Sequence, residues 1–369
     1  MTIRIPLFIV LFLATIATAA GIPNRPTQDA ESPRSDFADA LAQQNFDEAV
    51  VIAKARLAGA LDAGRRHQLE TAALYIDLAD AQRLNADPQA AQANYEAAID
   101  IVESQADMLN IALERPLFGL GHAMLDQNRP DLAVLPLERA VHVRQVNDGP
   151  HDANQIDTLH ALATAFLRLG DVSQAGLIAD RIGYLFSRNR ADADLDIVQT
   201  AVRLGTIYRN LFRYEDERST YYSAITFAKE SARFPVSSMV EPHVRIAQSY
   251  SHEYFELYFG ASEPDDLPSK ELLDMARSFH EQAVEIAGQS NSNWQQQYRA
   301  QLALGDFYIM TDNFADARTA YRDSWQLLTA DPARHDRRRT DMESAVPLLQ
   351  PQLDNMIDSE SSDRSSRRP

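Results

Sequence analysis

Through most of the chain apolar residues recur at i, i+3 and i+7, with a Gly or Ala set inside the stripe, and this pattern predicts amphipathic helices. In one such stretch Leu117, Leu120-Gly121 and Met124 share a face. The arrangement returns as Leu159, Leu162-Ala163, Phe166; as Ala201, Leu204-Gly205, Tyr208; and as His243, Ile246-Ala247, Tyr250. Upstream it reads Tyr75, Leu78-Ala79, Gln82. The small residue therefore falls at 79, 121, 163, 205 and 247, a constant step of 42.

A second signature follows twelve residues later. It reads Ala91-Tyr95-Ala98, Ala133-Leu137-Ala140 and Ala175-Ala179-Ile182; in Glu217-Tyr221-Ala224 the first small residue is lost. Ala49 and Ala53 make a partial copy one period earlier, and Leu304-Gly305, Tyr308, Ala317 and Tyr321 make a last one. Turn-like stretches separate the two signatures at 85–88, 126–130, 170–171 and 311–313. Each period thus predicts two antiparallel helices. One such pair cannot bury its apolar face alone, so neighbouring pairs must stack.

These motifs resemble the tetratricopeptide repeat: a large residue, Leu-Gly/Ala, Tyr, then Ala, an aromatic and Ala. The ordinary repeat is about 34 residues long, and a 42-residue period with the extra residues after the second helix is similar to the kinesin-light-chain variant. Residues 137–144 and 159–163 carry the likeness best, and it covers about 36–331. The resemblance implies an all-α, right-handed α-solenoid of about six to seven stacked helix pairs. It further implies a concave groove lined by the first helix of each pair. The residue after each small residue is expected to face that groove: Asp80, His122, Thr164, Thr206, Gln248 and Asp306, all polar. Neighbouring columns add Arg83, Phe118, His160 and Arg209. A groove of this mixed character suits an extended peptide or a helix. The Lys and Asn set of the family's carboxylate clamp is missing, so binding of chaperone tails is not implied.

Two features break the regularity. Pro136 lies inside a second helix, where it should remove a backbone hydrogen bond. The step from Ala247 to Gly305 is 58 rather than 42, and the excess is assigned to an insertion near 260–275 with a loop at 260–268. Ser269 can cap the helix that resumes there. Before the loop Tyr250, Tyr254 and Tyr258 stand at i, i+4 and i+8 beside Phe255 and Phe259. This stripe reads as the core of a lengthened helix pair or as an aromatic patch for a partner.

The ends differ from the body. Residues 1–19 combine Arg4, a short apolar run and a small-x-small ending, as a secretory signal peptide does. The run is too short to cross a membrane comfortably. A periplasmic or secreted location is expected, with no membrane span after cleavage. Residues 20–35 have linker composition, and the tail 332–369 is expected to be partly disordered. Within it Met342, Val346, Leu349, Leu353 and Met356 keep helical spacing, interrupted by Pro347 and Pro351.

Composition narrows the chemistry. The chain has 369 residues, 13 Gly and no Cys, so disulfides and thiolate chemistry are excluded. The net charge of −18 argues against nucleic acid and favours a basic protein partner. Asp192, Asp194 and Asp196 begin like a calcium loop, but the turn Gly is absent and Arg203 stands at the closing position. His252-Glu253 lacks the second His of a zinc motif. No catalytic residue, metal or cofactor is expected. The leading expectation is a non-catalytic scaffold that holds a partner in its groove. Alternatives are a structural subunit of a cell-envelope complex, or an enzyme or glycan-binding protein with a site near 250–275.

Overall fold

The computed structural model of the chain describes residues 33–189, 196–231, 234–261, 267–289 and 294–330. The leader, most of the linker, Asp192 and Asp194, and the tail lie outside the described residues. The helices are α1 (Pro33–Ala42), α2 (Phe46–Asp62), α3 (Leu69–Leu84), α4 (Pro88–Gln105), α5 (Glu114–Asp126), α6 (Pro130–Asp148) and α7 (Ile156–Leu169). They continue with α8 (Val172–Arg188), α9 (Ile197–Asn210), α10 (Tyr214–Glu230), α11 (Val240–Gly260), α12 (Glu271–Gln289), α13 (Trp294–Met310) and α14 (Phe314–Thr329). The described residues contain no strand. Helix α1 begins at Pro33, inside the stretch with linker composition; Pro suits the first turn because its missing N–H has no helical partner there.

The period of the sequence is written in the backbone. Gln44, Ala86, Asn128, Gly170 and Phe212 each turn into the left-handed region, with φ of 59°, 58°, 57°, 76° and 58°. Each closes the first helix of a pair. The next residue sends its N–H back to a carbonyl five residues earlier, as from Asp87 to Gln82 (2.9 Å) and from Asp171 to Phe166 (2.9 Å). That bond satisfies an otherwise orphaned carbonyl at the helix end. The same residue then starts the second helix. The Asp87 and Asp171 carboxylates accept from the N–H of Ala90 (3.1 Å) and Gln174 (3.0 Å).

By this count the sixth hinge belongs at residue 254, but Tyr254 stays helical and α11 runs to Gly260. Helix α11 has 21 residues, against 14 in α7 and α9, so about two extra turns project beyond the neighbouring first helices. The next left-handed hinge is Asp312, φ 57°. The insertion therefore sits between the two helices of the sixth pair. Helix α12 carries the second signature as Ala276, His280 and Ala283, which are 0%, 2% and 0% exposed.

The described residues form seven helix pairs, and each helix packs on its sequence neighbours. Consecutive first helices (α3 on α5, α5 on α7, α7 on α9, α9 on α11, α11 on α13) also touch, while consecutive second helices share no comparable contact. The second helices are thus splayed on the outer side and the first helices line the inner one. Tyr95, Leu137, Ala179 and Tyr221 fill the seams with no exposed surface. The small residues permit this closeness: a methyl group at Gly121 would overlap the side chain of Leu137. Successive repeats reuse the same ties. Asn147 and Asn189, one period apart, each donate a side-chain N–H to the preceding connection, at Leu109 O (2.8 Å) and His151 O (3.0 Å).

Pro136 does not break α6, which stays helical from Pro130 to Asp148. The carbonyl it deprives of a donor belongs to Leu132, a residue 37% exposed. The proline ring itself is buried.

Candidate functional site

The first helices form the inner wall, and the columns expected there can be followed residue by residue. Asp80, His122, Thr164, Thr206 and Gln248 are half-buried and Asp306 is exposed. Much of their polar capacity is spent inside the protein. Tyr95 donates its hydroxyl to Asp80 (2.5 Å), and Arg115 donates to the same carboxylate (2.6 Å) and to Asp77 (3.2 Å). Tyr321 likewise donates to Asp306 (2.7 Å). Thr164 and Thr206 return their hydroxyls to their own helices, at His160 O and Val202 O (both 2.9 Å).

Charge pairs bind neighbouring first helices along this wall. Arg83 of α3 meets Asp126 of α5 at 3.3 Å, Arg115 of α5 meets Asp80 of α3, and Arg203 of α9 pairs with Asp157 of α7. Arg209 is tied to the fully buried Glu217 of α10. The wall therefore presents alternating, mutually neutralised charge.

His122 is the side chain of the polar column that these pairs leave over. Among the described residues no side chain hydrogen-bonds to it, and its ring meets Phe118 edge-on, centroids 4.5 Å apart. Burial, and then the Arg83 and Arg203 charges working against Asp126 and Asp157, hold its pKa down to about 4. A neutral imidazole offers both a donor and an acceptor to a groove ligand. His160 departs from the expected lining. It is 5% exposed, lies inside the wall, and its Nε2 has no partner. Burial keeps it neutral. A polar residue in the neighbouring column predicted exposure, but the close approach of α7 to its neighbours covers it.

The wall also holds residues that the column reading missed. Asp77, Arg203 and Arg245 share one register position two residues before the small residue, and Arg115, Asp157 and Glu241 share another six before it. The signal was charge recurring at multiples of the repeat period. His252 is a further member: its Nδ1 is buried without a partner, and burial with the nearby Arg209 and Arg245 lowers its pKa to about 4.

The aromatic stripe on α11 divides in two. Tyr250 belongs to the seam: it stacks on Phe279 of α12 (6.0 Å) and carries the Arg218 guanidinium over its face (4.3 Å). Tyr254 and Tyr258 stack on each other (6.0 Å, 17° between rings) on the projecting turns. There Leu257, Tyr258 and Phe259 are 49%, 45% and 71% exposed. Among the described residues no three His, Asp or Glu side chains converge as metal ligands, and no helix is long and apolar enough to cross a membrane.

No protein-family model matches the chain, and no curated sequence matches it. Solved structures do show similarity. The C-terminal part of a TPR repeat-containing protein from Cytophaga hutchinsonii aligns over 83% of this chain and 98% of its own, with 14% identity and a TM-score of 0.46. A tetratricopeptide repeat protein from Parabacteroides merdae aligns over 82% and 95%, with 12% identity and a TM-score of 0.46. A Podosopora anserina protein with nearly identical TPR-like repeats of the kinesin-light-chain kind aligns over 56% and 94%, with 15% identity and a TM-score of 0.43. These are similarities to tetratricopeptide-repeat structures.

Proposed function

We propose that the protein is a non-catalytic scaffold that holds an extended or helical segment of another protein along the inner face of its first helices. The observation that supports this is the recurrence of a polar, solvent-reached position at one register of six successive first helices, from Asp80 to Asp306. His122, the second member of this column, and Phe118 beside it offer a neutral hydrogen-bonding ring next to an apolar one. Such a wall matches a peptide by alternating polar and apolar contacts. The net charge of −18 favours a basic segment, through steering and rim contacts. The leader-like residues 1–19 support placement of this scaffold in the periplasm or outside the cell.

The test is photocrosslinking in cells from Thr164 and Thr206, with Leu135 and Leu177 on the outer face as controls. A protein captured from the inner positions, and lost when His122, Thr164 and Gln248 are all changed to Lys, supports the groove. Capture of the same protein equally from the outer positions sinks it. Arg209 is a poor choice for this experiment, because its partner is the buried Glu217.

A second reading places a binding site on the projecting end of α11. The exposed Tyr258 and Phe259 favour it, and the parallel Tyr254 and Tyr258 rings suit a flat ligand such as a sugar ring. Loss of glycan or partner binding in Tyr258→Ala, with the groove variants unaffected, would select this reading.

A further inference from the structure

Helix α10 differs from the other second helices on its outward side. Two, five, six and nine places beyond the leading residue of the second signature stand Leu135, Glu138, Arg139 and His142 in α6, and Leu177, Asp180, Arg181 and Tyr184 in α8. The same places hold Ala93, Glu96, Ala97 and Asp100 in α4, and Ser278, Glu281, Gln282 and Glu285 in α12. In α10 they are Ser219, Tyr222, Ser223 and Thr226, each with a hydroxyl group. Together with Glu215 and Arg218 these residues line an open cleft of about 420 Å³. Thr220, beside them, returns its hydroxyl to its own helix at Asp216 O (2.8 Å). Among the described residues the hydroxyls of Ser219, Ser223 and Thr226 have no such tie, so each offers a donor and an acceptor to the cleft.

We propose that this cleft binds a neutral saccharide. Tyr222 supplies the platform: it is 38% exposed, Phe279 of α12 meets its ring edge-on (5.8 Å), and its hydroxyl faces that of Tyr250 (3.4 Å). A ring held in this way presents a flat apolar surface to the C–H face of a sugar. Ser219, Ser223 and Thr226 then exchange hydrogen bonds with sugar hydroxyls, which are likewise both donors and acceptors. Charge selects a neutral ligand. Arg218 is 8% exposed, lies over the Tyr250 ring (4.3 Å) and gives its Nη1 to Glu253 (2.5 Å), so its charge is already committed. Glu215 at the cleft opposes an anion, and the net charge of −18 adds to that. The lining holds no Leu, Ile, Val or Met on which a protein segment could anchor. The site lies on the outer side of the stack, so it stands or falls independently of the inner groove.

The experiment titrates the full chain with maltotriose, cellotriose and triacetylchitotriose, read by calorimetry and by saturation transfer from protein to sugar protons. The parent should bind at least one of them. Tyr222→Glu with Ser223→Arg gives α10 the residue types that α6 carries at these two places, so the fold should persist, as circular dichroism would read. Affinity should fall by about tenfold or more in that variant. Ser219→Ala with Ser223→Ala, a milder change at the surface, should weaken binding several-fold. Tyr258→Ala should leave it unchanged. Absence of binding for all three sugars overturns the proposal, and so does equal binding in both cleft variants. Loss in Tyr258→Ala alone would move the sugar to the end of α11 and overturn it as well. Tighter binding of trigalacturonate than of any neutral sugar would refute the neutral class.

Discussion

Arg209 grips a single oxygen of Glu217 with two nitrogens, at 2.8 and 2.5 Å, and that carboxylate has no exposed surface. Glu217 occupies the place where the other second helices carry Ala91, Ala133, Ala175, Ala276 or Ala317. A charge has thus replaced a methyl group at the tightest point of a helix pair, and Arg209, helped by the Tyr221 hydroxyl that donates to the same oxygen (3.3 Å), makes this tolerable. Arg209→Ala should cost about 3–5 kcal/mol, because it strands a buried carboxylate. Glu217→Ala together with Arg209→Ala should recover most of that loss, since it restores the small residue of the other repeats. Urea unfolding of the two variants reads the difference. Equal destabilisation in both would mean that the ion pair, and not the stranded charge, carries the stability.

At the fifth hinge Phe212 holds φ at 58° with its ring 66% exposed. A bulky side chain in this left-handed region costs about 1–2 kcal/mol relative to an ordinary conformation. The exposed ring returns little burial in exchange. Gly loses more entropy on folding, about 0.5–1 kcal/mol, but escapes the steric cost. Phe212→Gly should therefore stabilise the protein, by roughly 0.5–1 kcal/mol, seen as a higher melting temperature. A lower melting temperature would show that the ring makes contacts stronger than its exposure implies.

Period and fold were legible together because the same physics recurs: a small residue where helices must touch, a hinge where the chain must turn left-handed, and an apolar stripe between. The sixth pair was harder to read. Its hinge at Tyr254 was replaced by two more helical turns, so the motif Ala276, His280, Ala283 stood out of phase with the rest. Laying the interval from Ala133 to Ala163 back from Gly305 would have come within one residue of Ala276. Burial of single polar residues was illegible. His160 and Glu217 look like surface residues in sequence, and only the packing of neighbouring helices decides that they are not. Pro136 lies inside a second helix, as its place in the repeat indicated, and α6 continues through it although the ring has no N–H to donate.

Several histidines make the fold sensitive to acid. Burial alone lowers the pKa of His280 from 6.5 to about 4, and His122 and His252 are held at about 4 by burial together with nearby arginines. In the unfolded chain these rings take up protons near pH 6.5, while in the folded chain they do so only near 4. The unfolded state then binds more protons across that window. Stability is complete above about 6.5, falls as pH drops, and levels off below about 4. Urea midpoints at pH 7.5, 6 and 5 should decline in that order. His280→Leu should flatten the decline by about one proton, because no charged neighbour shares its shift. An unchanged slope in that variant would exclude His280 as a contributor.

Gly121 and Leu137 provide the sharpest test of why the small residue recurs. A methyl group at Gly121 would overlap the Leu137 side chain, which is fully buried. Gly121→Ala should destabilise the protein by about 1–3 kcal/mol through overpacking. Leu137→Ala alone should cost about 2–5 kcal/mol through the cavity it leaves. In combination the two substitutions should not add. With Leu137 shortened, the new methyl group enters vacated space, and Ala is a better helix former than Gly by about 1 kcal/mol. Gly121→Ala is then expected to change sign, from destabilising in the parent to stabilising in the Leu137→Ala background. A double-mutant cycle in urea measures that reversal directly. If the costs simply add, Gly121 is kept for some reason other than contact with Leu137. If the sign reverses, the distance between α5 and α6 is set by this contact. The same would hold for Gly205 against Tyr221, where an added methyl group meets the ring in the same way. The positions of α5 and α9 on the inner wall would then each follow from one glycine and the side chain packed against it.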